Sequence, residues 1–307
     1  VNNSSADFPS AENLLPSADP QPTASDRIAV FAPLFVILSG LVQYLGASFA
    51  VQLFAVTTAG AVAWGRFSIA GIIMLAWRRP PVPWKNLRAA YQFLRTPALF
   101  GLALTSMNVM FYYAISYVHL GIAVALEFLG PVVLAALTGR GIRVRVGICF
   151  AALGVFLISW IGVDLSDSRA RIGVALSLFA GIFWALYIWL GRKVSTSSNG
   201  PDSLAIGLCA GAIFYVPFAF VGFAPIVTNM HYLAMMIAVA IFSSFLPFLL
   251  EITILKHVRA DTYSLLSSLY PATSLIVGFL LLHQAPNFGG ILGLICVTIA
   301  VALSSHK

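Results

Sequence analysis

Apolar residues along this chain gather into ten runs, at about 28–50, 57–77, 96–117, 120–138, 144–162, 172–191, 203–222, 232–255, 262–282 and 287–304. Each is near the roughly 20 residues an α-helix needs to cross the hydrocarbon core of a bilayer. The pattern predicts an all-α integral membrane protein of ten transmembrane helices. The third and fourth runs are separated only by His119 and its neighbours, so the turn between them must be tight. Residues 1–27 break the pattern. They are rich in Ser, Pro, Asn, Asp and Ala, carry Asp7, Glu12, Asp19 and Asp26, and contain no apolar run. A signal peptide needs a basic start followed by a hydrophobic stretch. This segment has neither and is expected to be a disordered cytosolic tail. The sequence opens on Val1 rather than Met, which leaves the native start undefined.

Composition sharpens this picture. Of 307 residues, 60% are hydrophobic and 9% charged, against about 25% charged in soluble domains. So few charges could not cover a soluble fold of this size, which excludes an ordinary soluble enzyme. The net charge of +7 is informative through its placement. One alternating set of loops and ends carries Arg27; Arg78, Arg79, Lys85, Arg88 and Arg95; Arg140, Arg143 and Arg145; Arg192 and Lys193; Lys256 and Arg259; and Lys307. The opposite set holds only Arg169 and Arg171, and Arg66 lies within a run. Basic residues concentrate in cytoplasmic loops, so both termini are expected in the cytoplasm. The same bias accounts for the basic pI without a nucleic-acid partner. Cys149, Cys209 and Cys296 lie far apart in apolar runs, without metal-ligand spacing, and are expected as small core residues.

The two halves resemble each other at an offset near 140 residues. His119–Pro131 can be laid on Arg259–Pro271, so that Leu126 meets Leu266, Leu129 meets Leu269 and Pro131 meets Pro271; Gly40 and Gly181 also correspond. Five spans is an odd number, so a second copy enters the membrane upside down. Two domains are therefore expected after the tail, a first five-helix repeat over 28–162 and a second over 163–307. Inverted repeats recur in transporters that alternate access to a central site. Pro131 and Pro271 fall near the middle of their runs, where proline removes a backbone hydrogen bond and kinks a helix. In a bilayer the freed carbonyls need a polar neighbour or a wet cavity; a kink that serves packing alone is the competing explanation.

The ten-span inverted repeat, the Leu120–Pro131 segment LGIAVALEFLGP, the Met107–Tyr112 segment MNVMFY and the Ala180–Tyr187 segment AGIFWALY together resemble the EamA-type drug/metabolite transporter superfamily. Within it the resemblance points to bacterial threonine/homoserine exporters, with aromatic amino-acid exporters as relatives. It covers the whole chain after the tail. It implies an inner-membrane exporter of amino acids or similar metabolites, with a substrate cavity between the two halves.

Ionisable groups inside spans are few. A charge at the centre of a membrane helix costs about 2.5–3.5 kcal/mol on insertion scales. Glu127 and Arg66 both lie near mid-span. Glu127 either lines the substrate path, holding an ammonium group or exchanging a proton, or forms a static pair with Arg66. Arg66 either binds a substrate carboxylate or snorkels toward an interface. Glu251, near the end of its run and close to Lys256, is expected at the interface. His119 has no second ligand beside it, so no metal site is expected.

Polar and aromatic residues within the runs complete the candidate substrate site: Gln43, Trp64, Asn108, Tyr112, Glu127, Trp184, Tyr187, Tyr263, Ser267 and Tyr270. Asn108 and Tyr112 share a helix face, as do Trp184 and Tyr187. Gly207 and Gly211 form a small-xxx-small pattern suited to close helix packing.

The function expected is secondary export by alternating access, driven by a gradient of protons or of the substrate itself. No phosphate-binding GxxxxGK[ST] loop is present, and no cofactor is expected. The alternatives are a broad-specificity exporter of drugs or cationic metabolites and an intramembrane enzyme. The enzyme lacks support, because neither an HExxH helix nor a GxSxG elbow occurs, so no catalytic residue is assigned. A channel would need a continuous polar stripe, which the runs do not supply.

Overall fold

The computed structural model describes residues 24–138, 165–197, 199–258, 269–284 and 288–305, with isolated positions between them. Residues 1–23 and most of the fifth run, 144–162, lie outside the described residues, as do most of 259–268. Among the described residues the regular structure is helical, with no strand. The helices are α1 (Ala24–Leu53), α2 (Ala59–Arg78), α3 (Leu87–Ile115), α4 (Leu120–Glu127), α5 (Leu129–Thr138), α6 (Ser168–Ser197), α7 (Gly200–Phe214), the short α8 (Pro217–Phe220) and α9 (Ala224–Thr228), α10 (Met230–Ala240), α11 (Leu246–His257), α12 (Leu269–Leu282) and α13 (Phe288–Ser305). A π-helical turn, Ile241–Phe245, joins α10 to α11. Among the described residues, five stretches are long and apolar enough to cross a membrane: Phe31–Leu53, Ala59–Arg78, Leu87–Ile115, Ser168–Thr196 and Met230–His257.

Local chemistry sets the helix ends. Thr58 caps α2 by accepting from the Ala61 amide at 3.1 Å, and Asn86 caps α3 by accepting from the Ala89 amide at 3.1 Å. Arg79 closes α2 in the left-handed region at φ 45°. The turn before α4 is as tight as expected, with the Val118 amide donating back to the Ala114 carbonyl at 2.9 Å. The seventh run does not continue to 222. α7 stops at Phe214, because Pro217 has no N–H for the Ile213 carbonyl, and the Val216 amide turns back to that carbonyl at 3.4 Å.

α3 packs on α6 and α7, and α2 packs on α7. On the other side, α1 packs on α12 and on the α10–α11 rod, and α4 touches both α6 and α12. Side chains such as Ile72, Trp77, Ile182, Trp189 and Ile213 are exposed on the outside, whereas Ser39, Arg66, Asn108, Glu127 and Glu251 are buried. Apolar surface outside and charge inside is the inverse of a water-soluble fold and suits lipid. One end of the bundle gathers basic residues: Arg78 pairs with Asp202 at 2.8 Å, and Arg192 donates to the Leu255 and Val258 carbonyls at 2.7 and 2.9 Å, satisfying the last turn of α11. Arg169 and Arg171 stand at the opposite end of the 30-residue α6.

Candidate substrate site

Three prolines shape the centre, each removing the N–H that would serve the carbonyl four residues earlier. Pro131 releases the Glu127 carbonyl, and the helix breaks at Phe128 between α4 and α5. Pro271, in α12, releases the Ser267 carbonyl, which accepts from the Tyr270 amide at 2.9 Å instead. Pro247 releases the Ser243 carbonyl within the π turn. That carbonyl is taken by Arg66, whose Nη1 donates to it at 2.7 Å.

Arg66 is thereby fixed inside the bundle. It is 1% exposed, so it does not snorkel. Nη1 also donates to Ser243 Oγ and Nη2 to Asn108 Oδ1, while the guanidinium lies 4.4 Å from the centroid of the Tyr112 ring. Asn108 is held in turn by donating from Nδ2 to the Leu104 carbonyl at 2.7 Å. Asn108 and Tyr112 therefore act from one face of α3, as their spacing predicts. Arg66 Nε is buried without a hydrogen-bond partner.

Glu127, at the end of α4, is buried, and its Oε1 has no hydrogen-bond partner. It makes no contact ion pair with Arg66. Both groups are buried within the bundle, at 1% and 5% exposure. Beside them, Trp184 packs on Phe128 and on Tyr270, and Tyr270 packs edge-on against Tyr44.

Glu251 is the residue the sequence misplaced. It was expected at the interface and is 4% exposed. Tyr187 donates to its Oε2 at 3.0 Å. Tyr270 and Ser39 donate to its Oε1 at 3.0 and 3.5 Å. The Tyr263 hydroxyl is buried near the same carboxylate without a partner of standard geometry. Proximity to Lys256 in the sequence suggested an interface, but α11 carries Glu251 more than one turn inward and onto the buried face. Ser243 was missed as well. Its signal was Pro247 inside an apolar run, which marks a carbonyl four residues earlier in need of a donor.

Other expected residues lie at varied distances from this centre. Gln43, on α1, has a buried Oε1 without a partner. Ser267 donates to the Tyr263 carbonyl at 2.8 Å. Trp64 turns elsewhere: its indole donates to the Ala212 carbonyl at 2.9 Å and packs edge-on against Phe223. His119 is exposed, and the described residues contain no cluster of potential metal ligands. The cysteines do not form core as expected. Cys149 is exposed and Cys209 and Cys296 are half-buried.

A family model described as the EamA-like transporter family matches residues 171–306. The chain is similar to the threonine/homoserine exporter RhtA of Salmonella typhimurium strain LT2, with 34% identity covering 92% of this chain and 94% of that protein. It is likewise similar to the threonine/homoserine exporter RhtA of Escherichia coli strain K12, with 33% identity covering 86% of this chain and 88% of that protein. One crystal structure, 15% identical, superposes with a TM-score of 0.59 over 90% of this chain and 96% of that one, a likeness of fold.

Proposed function

This chain belongs to the EamA-like transporter family and is a multi-pass membrane protein, and from that premise we propose that it exports threonine, homoserine or a related amino acid across the bacterial inner membrane by alternating access. The observation that carries the proposal is a pair of orphan groups at the buried centre. Glu127 Oε1 lacks a donor and Arg66 Nε lacks an acceptor. A buried polar atom left without a partner costs about 1–3 kcal/mol, and these two are opposite in kind. A zwitterion satisfies both, its ammonium donating to Glu127 and its carboxylate accepting from Arg66. Asn108, Tyr112 and Ser243 orient Arg66, while Tyr44, Trp184 and Tyr270 wall the side-chain end. Gln43, Tyr187, Tyr263 and Ser267 complete the surround.

The architecture proposed is two inverted five-helix repeats, 28–162 and 163–307, with ten crossings. Packing supports it. α1 lies on the α10–α11 rod as α6 lies on α3, and α1 lies on α12 as α6 lies on α4 and α5. The matched glycines also agree: a Cβ on Gly40 would press on Tyr270 and Thr273 of α12, and one on Gly181 would press on Glu127 and Gly130 beside the α4–α5 break. The shared basic end supports cytoplasmic termini. A cavity of about 490 Å³ at that end, lined by Gln92, Thr96, Asn199 and Asp202 among others, supports approach from the cytosol.

Counterflow of labelled threonine into proteoliposomes tests the proposal. The wild type is expected to exchange it, and Glu127→Gln to lose exchange by about tenfold or more. The aromatic walls favour one second reading, a broad exporter of cationic metabolites. That reading needs Glu127 but not Arg66, so Arg66→Gln would then leave cation export intact. Absence of threonine exchange in the wild type overturns the first reading.

A further inference from the structure

The two buried carboxylates live in opposite surroundings. Glu127 has an oxygen with no donor, whereas Glu251 receives three hydroxyl donors from three helices: Ser39 of α1, Tyr187 of α6 and Tyr270 of α12. The nature of those donors matters. A backbone N–H or a guanidinium can only donate, and so favours the ionised carboxylate. A hydroxyl both donates and accepts, and its hydrogen rotates freely. A carboxylate ringed by hydroxyls is therefore solvated in either protonation state without movement of the backbone.

The cage also holds spare acceptors. When a proton adds to Glu251, a new O–H bond forms on a carboxylate oxygen and donates to a hydroxyl that had been donating to it. The hydrogen of that hydroxyl must then turn to another oxygen. Two buried oxygens have no hydrogen bond of standard geometry: the Tyr263 hydroxyl, close to the carboxylate, and Gln43 Oε1, on the same face of α1 as Ser39 and one turn along. Both carry lone pairs that can accept a displaced hydrogen when Glu251 is protonated. When the proton leaves to water, the hydroxyls turn back.

The titratable groups facing Glu251 are Tyr44 on α1, Tyr187 on α6, and Tyr263 and Tyr270 from the α12 side. Arg66 and Glu127 are the charges that reach its surroundings. On its own helix, Lys256 and His257 lie beyond it, and α7 turns its acid, Asp202, to Arg78.

We propose that Glu251 is a reversible proton site, and that Glu127 and Glu251 divide the work, the first holding the substrate ammonium and the second carrying the coupling proton. The coupling half of this statement rests on the transporter reading above; the proton site does not.

Infrared difference spectra of the purified full chain between acid and alkaline buffer test the proton site without transport. The wild type is expected to gain the carbonyl stretch of a protonated buried carboxyl on acidification. Glu251→Gln is expected to remove that component and Glu127→Gln to retain it. The Tyr187→Phe/Tyr270→Phe pair keeps the rings, removes two hydroxyls, and is expected to move its titration midpoint. An unchanged band in Glu251→Gln, loss of the band in Glu127→Gln, or an unmoved midpoint in the tyrosine pair overturns the assignment. In proteoliposomes, Glu251→Gln is expected to keep threonine exchange while losing pH-gradient-driven accumulation by about tenfold. Retained accumulation overturns the coupling role. A wild type that moves no threonine overturns the transporter reading alone, since the infrared result still decides the proton site.

Discussion

The seam between α3 and α7 and the polar centre beside it are built on opposite rules. At the seam, Gly101 faces Gly207, and a Cβ on either would fall on the backbone of the other; one turn along, Gly211 is filled by Thr105. The small-xxx-small pattern of α7 is thus consumed inside the chain, where it lets two helices touch. At the centre the helices are bridged by polar groups: Arg66 from α2, Asn108 and Tyr112 from α3, and Ser243 from the π turn. The seam has no partner left to accept. The centre retains orphan donors and acceptors. Rigidity and reactivity are thereby assigned to neighbouring stretches of the same helix, α3, which serves as wall in one turn and as site in another.

That contrast can be broken at either end. The largest effect is expected at the seam. Gly101→Leu forces a side chain into backbone and is expected to cost at least about 3 kcal/mol, seen as loss of monodisperse protein after detergent extraction. If Gly101→Leu melts like the wild type, the two helices do not touch as described. At the centre, Arg66→Met removes a donor from the Ser243 carbonyl and from Asn108. A cost of about 1–3 kcal/mol is expected, with threonine exchange lost in protein that remains folded; retained exchange would reduce Arg66 to a brace. The smallest effect is expected at the basic end. The Arg78–Asp202 pair is partly exposed, with side chains 29% and 14% accessible. Such pairs contribute about 0–1 kcal/mol, so Asp202→Asn should shift the melting temperature only slightly; a shift as large as that of Arg66→Met would contradict this ranking.

Most helices were legible because a bilayer imposes a length of apolar run that a sequence displays directly. Glu127 and Arg66 were legible for a related reason: an ionisable group in mid-span is conspicuous. Their partners were not. The contacts of Arg66 depend on a carbonyl that Pro247 frees on a helix far along the chain, and neither residue type announces that pairing. Glu251 shows a different failure. Distance along the chain from Lys256 suggested an interface, whereas burial depends on which face of α11 turns inward. Trp64 lies two residues from Arg66 and so on another face of α2, where Ala212 and Phe223 absorb it. Cys149 failed because an apolar run in lipid need not be core.

The most direct test is to ask which charges of the ligand the protein requires. Threonine, N-acetylthreonine and threonine methyl ester differ only in the ammonium or the carboxylate, and each can be titrated against labelled threonine in wild-type proteoliposomes. With Glu127 and Arg66 holding the two ends, threonine competes and each capped form loses about tenfold or more in potency. Competition by N-acetylthreonine as strong as that of threonine itself would contradict the account.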